Sequence, residues 1–133
     1  MKLWQIPHDK LSRFWPVVAP MLHRAYQRGV LGSTFAELVQ DFGNHLAQLW
    51  VIVDDVKIVA SLATSLEATR DAKFCVVRAI GGTRMREWIH LIEDLESYAR
   101  TEDCTAMRIT GRKGWERVLK NYFQPFVVLE KRL

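Results

Sequence analysis

Cysteine is almost missing from this chain: Cys75 and Cys104 are the only two in 133 residues, and no CxxC pair occurs. That excludes a disulfide framework or a cysteine zinc ribbon, and it fits a reduced, cytoplasmic setting. The four histidines, His8, His23, His45 and His90, share no ligand spacing, so a metal site is not expected. Long apolar runs are lacking as well. The most apolar stretch, Phe14 to Leu22, is too short to cross a bilayer and contains Pro16 and Pro20. The N-terminus has no secretion-signal pattern, so neither export nor a membrane partner is expected. No repeat, low-complexity tract or linker interrupts the chain, and no tail carries one sign of charge. The net charge of +4 is spread along the sequence. It permits anionic ligands but does not demand nucleic acid, which is not among the expected partners.

What is present is core material. Hydrophobic residues make up 49% of the chain and five are Trp, enough for one domain spanning 1–133. Leu3 to Ile6 reads as a short strand closed by Pro7. From Asp9 to Arg28, Leu11, Phe14, Trp15, Val18, Leu22 and Ala25 keep helical spacing, with Pro16 and Pro20 predicting one bent helix or two pieces and Gly29 a stop. Thr34-Phe35-Ala36-Glu37 has the form of a capping box and opens a second helix ending near Gly43. Leu49–Val53 and Val56–Thr64, joined by Asp54-Asp55, predict a β-hairpin, and Lys73–Ile80 a further strand. Trp88, Ile92, Leu95 and Ala99 mark the clearest helical face, with Thr83 as its N-cap. Thr105–Thr110 predicts a strand, Trp115–Asn121 a short helix and Pro125–Leu129 a last strand.

One junction joins these elements to chemistry. Phe74 to Ile80 passes through Gly81 and Gly82 into the amphipathic segment that begins Thr83-Arg84-Met85-Arg86. Glycines between a strand and a helix let backbone N–H groups approach an anion, and the helix dipole favours negative charge at that point. Arg84 and Arg86 are poorly placed against the dipole unless an anion accompanies them. Arg112 and Lys113, in the turn Gly111-Arg112-Lys113-Gly114, could contact a ligand's terminal phosphate, an acidic protein or nucleic acid, or lie free in solvent. Trp15, Trp50, Trp88 and Trp115 each sit on an apolar face and read as core. Ser61 and Ser65 lack a nucleophile-elbow setting, and Cys75 reads as strand packing.

The order β-α-α-β-β-β-α-β-α-β, with glycines between the fourth strand and the third helix, resembles the GCN5-related N-acetyltransferase (GNAT) superfamily along almost the whole chain. The resemblance implies an α+β (α/β) fold, a mixed sheet flanked by helices, with the pantetheine arm of acetyl-CoA between two splayed strands, here Lys73–Ile80 and Thr105–Thr110. Its phosphate motif is Gln or Arg, two residues, Gly, one residue, then Gly or Ala. Arg78-Ala79-Ile80-Gly81-Gly82-Thr83 keeps the first two fixed positions and has Thr at the third. The cofactor-binding set implied is Arg78, Ala79, Ile80, Gly81, Gly82, Thr83, Arg84, Met85 and Arg86, with the phosphate cradle at Gly81 to Met85.

The family's general acid is a Tyr on the helix after the fifth strand. In Trp115–Phe123 that position falls on Val118, which leaves Tyr122 as the substitute after a rearrangement. The strand Lys73–Ile80 contains no acid, so Glu67, just after the third strand, is the nearest general-base candidate. Its ordinary role would be a solvated loop glutamate. Two functions follow from the resemblance. One is N-acetyl transfer from acetyl-CoA to an amine acceptor. The alternative is a GNAT-like scaffold without catalysis, an interaction or assembly subunit with a protein partner or a homo-oligomer. The Gly111-Arg112-Lys113-Gly114-Trp115 turn and the Gln48–Val51 strand start also look like small phage-encoded GNAT-like proteins, which places that alternative in a bacteriophage particle.

Overall fold

A computed structural model describes residues 1–28 and 32–133, so the expected helix stop at Gly29 lies outside the described residues. Leu49 to Ile52 and Val59 to Ser65 are buried without alternation, because the sheet they form is covered on both faces. The strands are β1 (Lys2–Ile6), β2 (Gln48–Asp54), β3 (Lys57–Ala68), β4 (Lys73–Gly82) and β5 (Ala106–Ile109). They lie in the order β1-β2-β3-β4-β5. The first three pairings are antiparallel, and β4 with β5 is parallel. The hairpin β2–β3 forms as expected but turns one residue later, at Asp55–Val56, with Asp54 paired to Lys57 and Asp55 at φ 52°.

Helices α1 (Leu11–Gln27) and α2 (Phe35–Gly43) cover one face, where Val18, Leu22, Leu38 and Phe42 meet Leu49, Val51, Ala63 and Ala79. The other face receives α3 (Met85–Trp88), a 3-10 turn (Ile89–Leu91) and α4 (Ile92–Thr101). There Trp88, Ile92 and Leu95 pack on Trp50, Ile52, Leu62 and Val77. A one-turn helix, α5 (Trp115–Val118), follows β5.

Four expectations are narrowed or changed. First, of the one bent helix or two pieces expected, α1 is one helix running through Pro16 and Pro20. Their spacing of four places both prolines on the exposed face, so the carbonyls they orphan, on Ser12 and Pro16, open to water. Second, Thr34 caps α2 by accepting the Glu37 N–H at 3.1 Å, but Thr83 does not cap the later helix. Its N–H and hydroxyl are turned to the Val59 carbonyl, and Arg84, left-handed at φ 60°, holds the cap position instead. Third, the expected long helix is divided by the 3-10 turn, although Trp88, Ile92, Leu95 and Ala99 all lie inward. Fourth, Pro125–Leu129 forms no strand and leaves its apolar side chains exposed.

Candidate functional site

The last two strands of the sheet, β4 and β5, part company halfway along. Phe74 to Val77 pair with Ala106 to Ile109, and the Thr110 N–H still reaches the Val77 carbonyl at 3.2 Å. Beyond that point β4 continues from Arg78 to Gly82, while β5 ends at Ile109. A bulge starts the separation. Ala63 faces Ala79 and Thr64 faces Val77, which leaves Arg78 as the extra residue on β4. Bulges add twist and re-aim side chains. The Arg78 guanidinium accordingly swings to α2 and pairs with Asp41 Oδ2 at 2.5 Å, with its side chain only 11% exposed.

Strand alternation fixes which backbone groups face the gap. The Thr83 N–H bonds the Val59 carbonyl at 2.9 Å. In an antiparallel ladder every second residue then turns its peptide groups to the partner strand, and the residues between turn away. Ile80 and Gly82 are of the second kind, so their N–H and C=O groups point toward the gap.

Gly81 and Gly82 belong to the strand and not to a loop, which corrects the strand-to-helix turn expected for them. They pair with Ser61 and Ala60 of β3. Close approach explains both residues. A Cβ on Gly81 would overlap the Met21 carbonyl of α1, and one on Gly82 would overlap Val59 and Ala60. Gly82 also sits at φ 140°, a conformation open mainly to glycine. The turn itself is Thr83–Arg84.

The gap opens into a cavity of about 260 Å³. Of the nine residues expected at the cofactor, Ala79, Ile80, Gly81, Gly82 and Met85 line it. Arg78 is drawn to Asp41 and Thr83 to Val59. Arg84 is also committed elsewhere, to Asp54 Oδ2 at 2.6 Å and to both carboxylate oxygens of Glu87 at 2.7 and 2.9 Å. These contacts hold the Asp54 and Glu87 carboxyls below their usual range, chiefly through hydrogen bonds from Arg84. Arg86 is exposed on the first turn of α3.

Positive charge reaches the cavity from Arg24 of α1, from Arg28 just past its end, and from Arg112. None of the three has a carboxylate partner among the described residues. Arg24 and Arg28 were not legible as site residues. Met21, Arg24, Ala25 and Arg28 form one stripe at helical spacing, but only the packing of α1 on β4 turns that stripe to the gap. Trp88 and Trp115, read as core, also form cavity wall.

Neither candidate catalytic residue is there. Glu67 lies within β3, exposed and opposite Phe74. The seven residues from Phe74 to Gly81 put it roughly 20 Å from the glycines. The Tyr122 hydroxyl donates to Glu96 Oε2 of α4 at 2.6 Å. Burial and that bond push its pKa well above the usual tyrosine range, so the phenol holds its proton. Among the described residues, no Asp, Glu or His lines the cavity. Cys75, opposite Met107 in the paired half of the two strands, is buried, and burial raises its thiol to about 12, which keeps it protonated and inert.

No family model and no curated protein matches this sequence. Solved structures do match in fold. An aminoglycoside acetyltransferase from an uncultured soil metagenomic sample, solved with sisomicin, superposes with a TM-score of 0.71 at 13% identity, covering 99% of this chain and 95% of its own. A ribosomal-protein-alanine N-acetyltransferase from Brucella melitensis gives 0.65 at 14% identity over the whole of both chains. A GNAT-family acetyltransferase from Staphylococcus aureus gives 0.65 at 14%, covering 99% and 98%. The chain has the GNAT fold.

Proposed function

We propose that this chain binds an acyl-CoA in the gap between β4 and β5 and transfers the acyl group to an amine. The parting of the two strands at the Arg78 bulge carries this reading, because it frees a backbone edge beside a cavity rich in arginine. The residues suit the ligand. The Ile80 and Gly82 peptide groups are placed to bond an amide-bearing arm, and Trp88 and Trp115 give that arm an apolar wall. Arg24, Arg28 and Arg112 supply charge for phosphates. The thioester supplies an acyl group that an amine can attack. An N–H of the β4 edge would stabilise the oxyanion as it forms. With no acid or base in the cavity wall, the amine's proton leaves through water, and the departing thiolate takes a proton from water too.

Calorimetric and thermal-shift titration with acetyl-CoA tests this. A ligand at about a hundred times its Kd adds about 2.7 kcal/mol of stability. Arg112→Ala weakens binding, and Arg84→Ala changes it less than about twofold, since that guanidinium already serves Asp54 and Glu87. No stabilisation at millimolar acetyl-CoA would end the proposal.

A second reading is a non-catalytic scaffold or assembly subunit, as in a phage particle. It is favoured by the positions of Glu67 and Tyr122, both outside the cavity wall. It predicts that the chain, with amines of several classes, releases no thiol from acetyl-CoA. Measurable release that depends on Arg112 would dismiss it.

A further inference from the structure

Among the described residues, the side chains that carry charge to the fork between β4 and β5 are three cations, Arg24, Arg28 and Arg112. Residues 29–31, outside the described residues, are Gly, Val and Leu and bring no ionisable side chain. An N–H of the β4 edge can serve an oxyanion only if the attacking amine meets the acyl group at this fork. Proton acceptors elsewhere in the fold are committed or distant. Asp41 is bound to the Arg78 guanidinium, and Glu67 lies opposite Phe74 at the start of β4. His8 and His45 stack on each other, His23 rests its ring 4.9 Å from Phe35 of α2, and His90 is exposed on the 3-10 turn. The Cys75 thiol and the Tyr122 phenol are both kept protonated by burial.

An amine attacks through its lone pair, so an ammonium ion must lose a proton first. With no carboxylate or imidazole at the fork to take it, that proton goes to water before the attack, and only the neutral fraction reacts. A peptide α-amino group, with a pKa of about 8, is about one-tenth neutral at pH 7. A lysine side chain, with a pKa of about 10.4, is neutral only about once in 2,500 molecules. The difference is about two hundredfold. The greater nucleophilicity of the stronger base offsets part of it, and a preference of at least about tenfold remains. Charge acts in the same direction, since an ammonium ion withdrawn from water at the fork would need a carboxylate partner there.

We infer that the acceptor is a weakly basic amine, one with a substantial neutral fraction at pH 7: a peptide α-amino group or an arylamine, and not a lysine side chain or a polyamine. This inference rests on the acyl-transfer reading. The neutral nitrogen forms a bond to the thioester carbonyl carbon, and the C–S bond breaks. The surplus proton on nitrogen passes to water and the thiolate takes one from water, so no side chain of the protein changes its protonation.

Thiol release from acetyl-CoA, measured from about pH 6 to 9.5 with the enzyme-free rate subtracted, tests it on three acceptors. They are a short lysine-free peptide with a free α-amine, the same peptide blocked at its N-terminus and carrying one lysine, and a simple arylamine. For the α-amine peptide, kcat/KM rises about tenfold per pH unit and levels off near pH 8, at the amine's own pKa. The lysine peptide is at least about tenfold poorer at pH 7 and still rising at the end of the range. The arylamine, neutral throughout, shows no rise, and turnover of one but not the other of the two weak bases tells the sources apart. Asp41→Asn and Glu67→Gln leave the levelling point where it is, because neither carboxylate takes the proton. One levelling point shared by all acceptors, a lysine peptide preferred at pH 7, or a levelling point moved by either substitution would overturn the inference and leave acyl transfer standing. Acetyl-CoA that binds in calorimetry while neither weak base is acetylated would overturn it too, whereas acetyl-CoA that does not bind removes the acyl-transfer reading itself.

Discussion

Replacing Gly81 by alanine separates two explanations of the glycine pair. If the glycines serve only a ligand, the methyl group leaves the folded protein's stability alone. The structure gives it a different consequence. The new Cβ would lie against the Met21 carbonyl carbon and oxygen, with the Leu22 nitrogen at 3.3 Å. These are backbone atoms of a 17-residue helix whose Val18 and Leu22 are fully buried. No side-chain rotation relieves the overlap, so α1 must move off β4. Overpacking a core costs roughly 1–3 kcal/mol, and the upper half applies where the obstacle is backbone. A domain of this size loses about 3–4 °C of Tm per kcal/mol, so the expected fall is roughly 7–10 °C. Gly114 is the control, since a Cβ there meets nothing within 4 Å. Gly114→Ala should stay within about 0.5 kcal/mol of the parent or gain slightly, by restricting the unfolded chain. Differential scanning calorimetry reads both. A Gly81→Ala protein that melts with the parent would refute the packing argument and return the glycine to the ligand.

Other outcomes follow from the polar contacts. The buried Trp50 indole donates to Thr64 Oγ1, which donates to Gln48 Oε1, both at 2.9 Å. Thr64→Val orphans the indole N–H and should cost about 2–3 kcal/mol in urea unfolding; a change below about 0.5 kcal/mol would show the chain of bonds to be dispensable. Asp41→Ala strands the Arg78 guanidinium, and with Asp41 31% exposed the loss should be about 2 kcal/mol, below that of a fully buried pair. Asp41→Asn should recover part of it, and equal losses in both would place the effect outside the ion pair. Burial and then the Glu102 charge raise the Tyr98 hydroxyl to about 12. Because the unfolded chain releases this proton near 10, stability should be flat below that pH and fall as pH rises from 10 to 12. Tyr98→Phe should flatten the decline, and an unchanged slope would assign it to other groups.

Much of the fold could be read from the chain because its signals are local. Thr34 and Glu37 announce the start of a helix, and the run from Leu49 to Val53 cannot be stable unless both sides are covered. Trp88, Ile92, Leu95 and Ala99 repeat at a helical period whether or not a 3-10 turn interrupts the axis. The same local reading misplaced Thr83 and the glycines. Sequence showed that Gly81 and Gly82 need room, but not that α1 and β3, more than twenty residues away, are what crowd them.

The site itself depended on tertiary structure. An extra residue at Arg78 is visible only as a mismatch between two paired strands, and it is this mismatch that separates β4 from β5. Arg24 and Arg28 gain their meaning from the side of α1 that faces β4, while Arg84 loses its expected role to Asp54, 30 positions away. The sequence by itself determined the inventory: which segments bury, where glycine is required, and that the closing segment is built like a strand. Only the folded chain decided which cations remain free and which edge stays open, because those depend on contacts between residues that no periodicity connects.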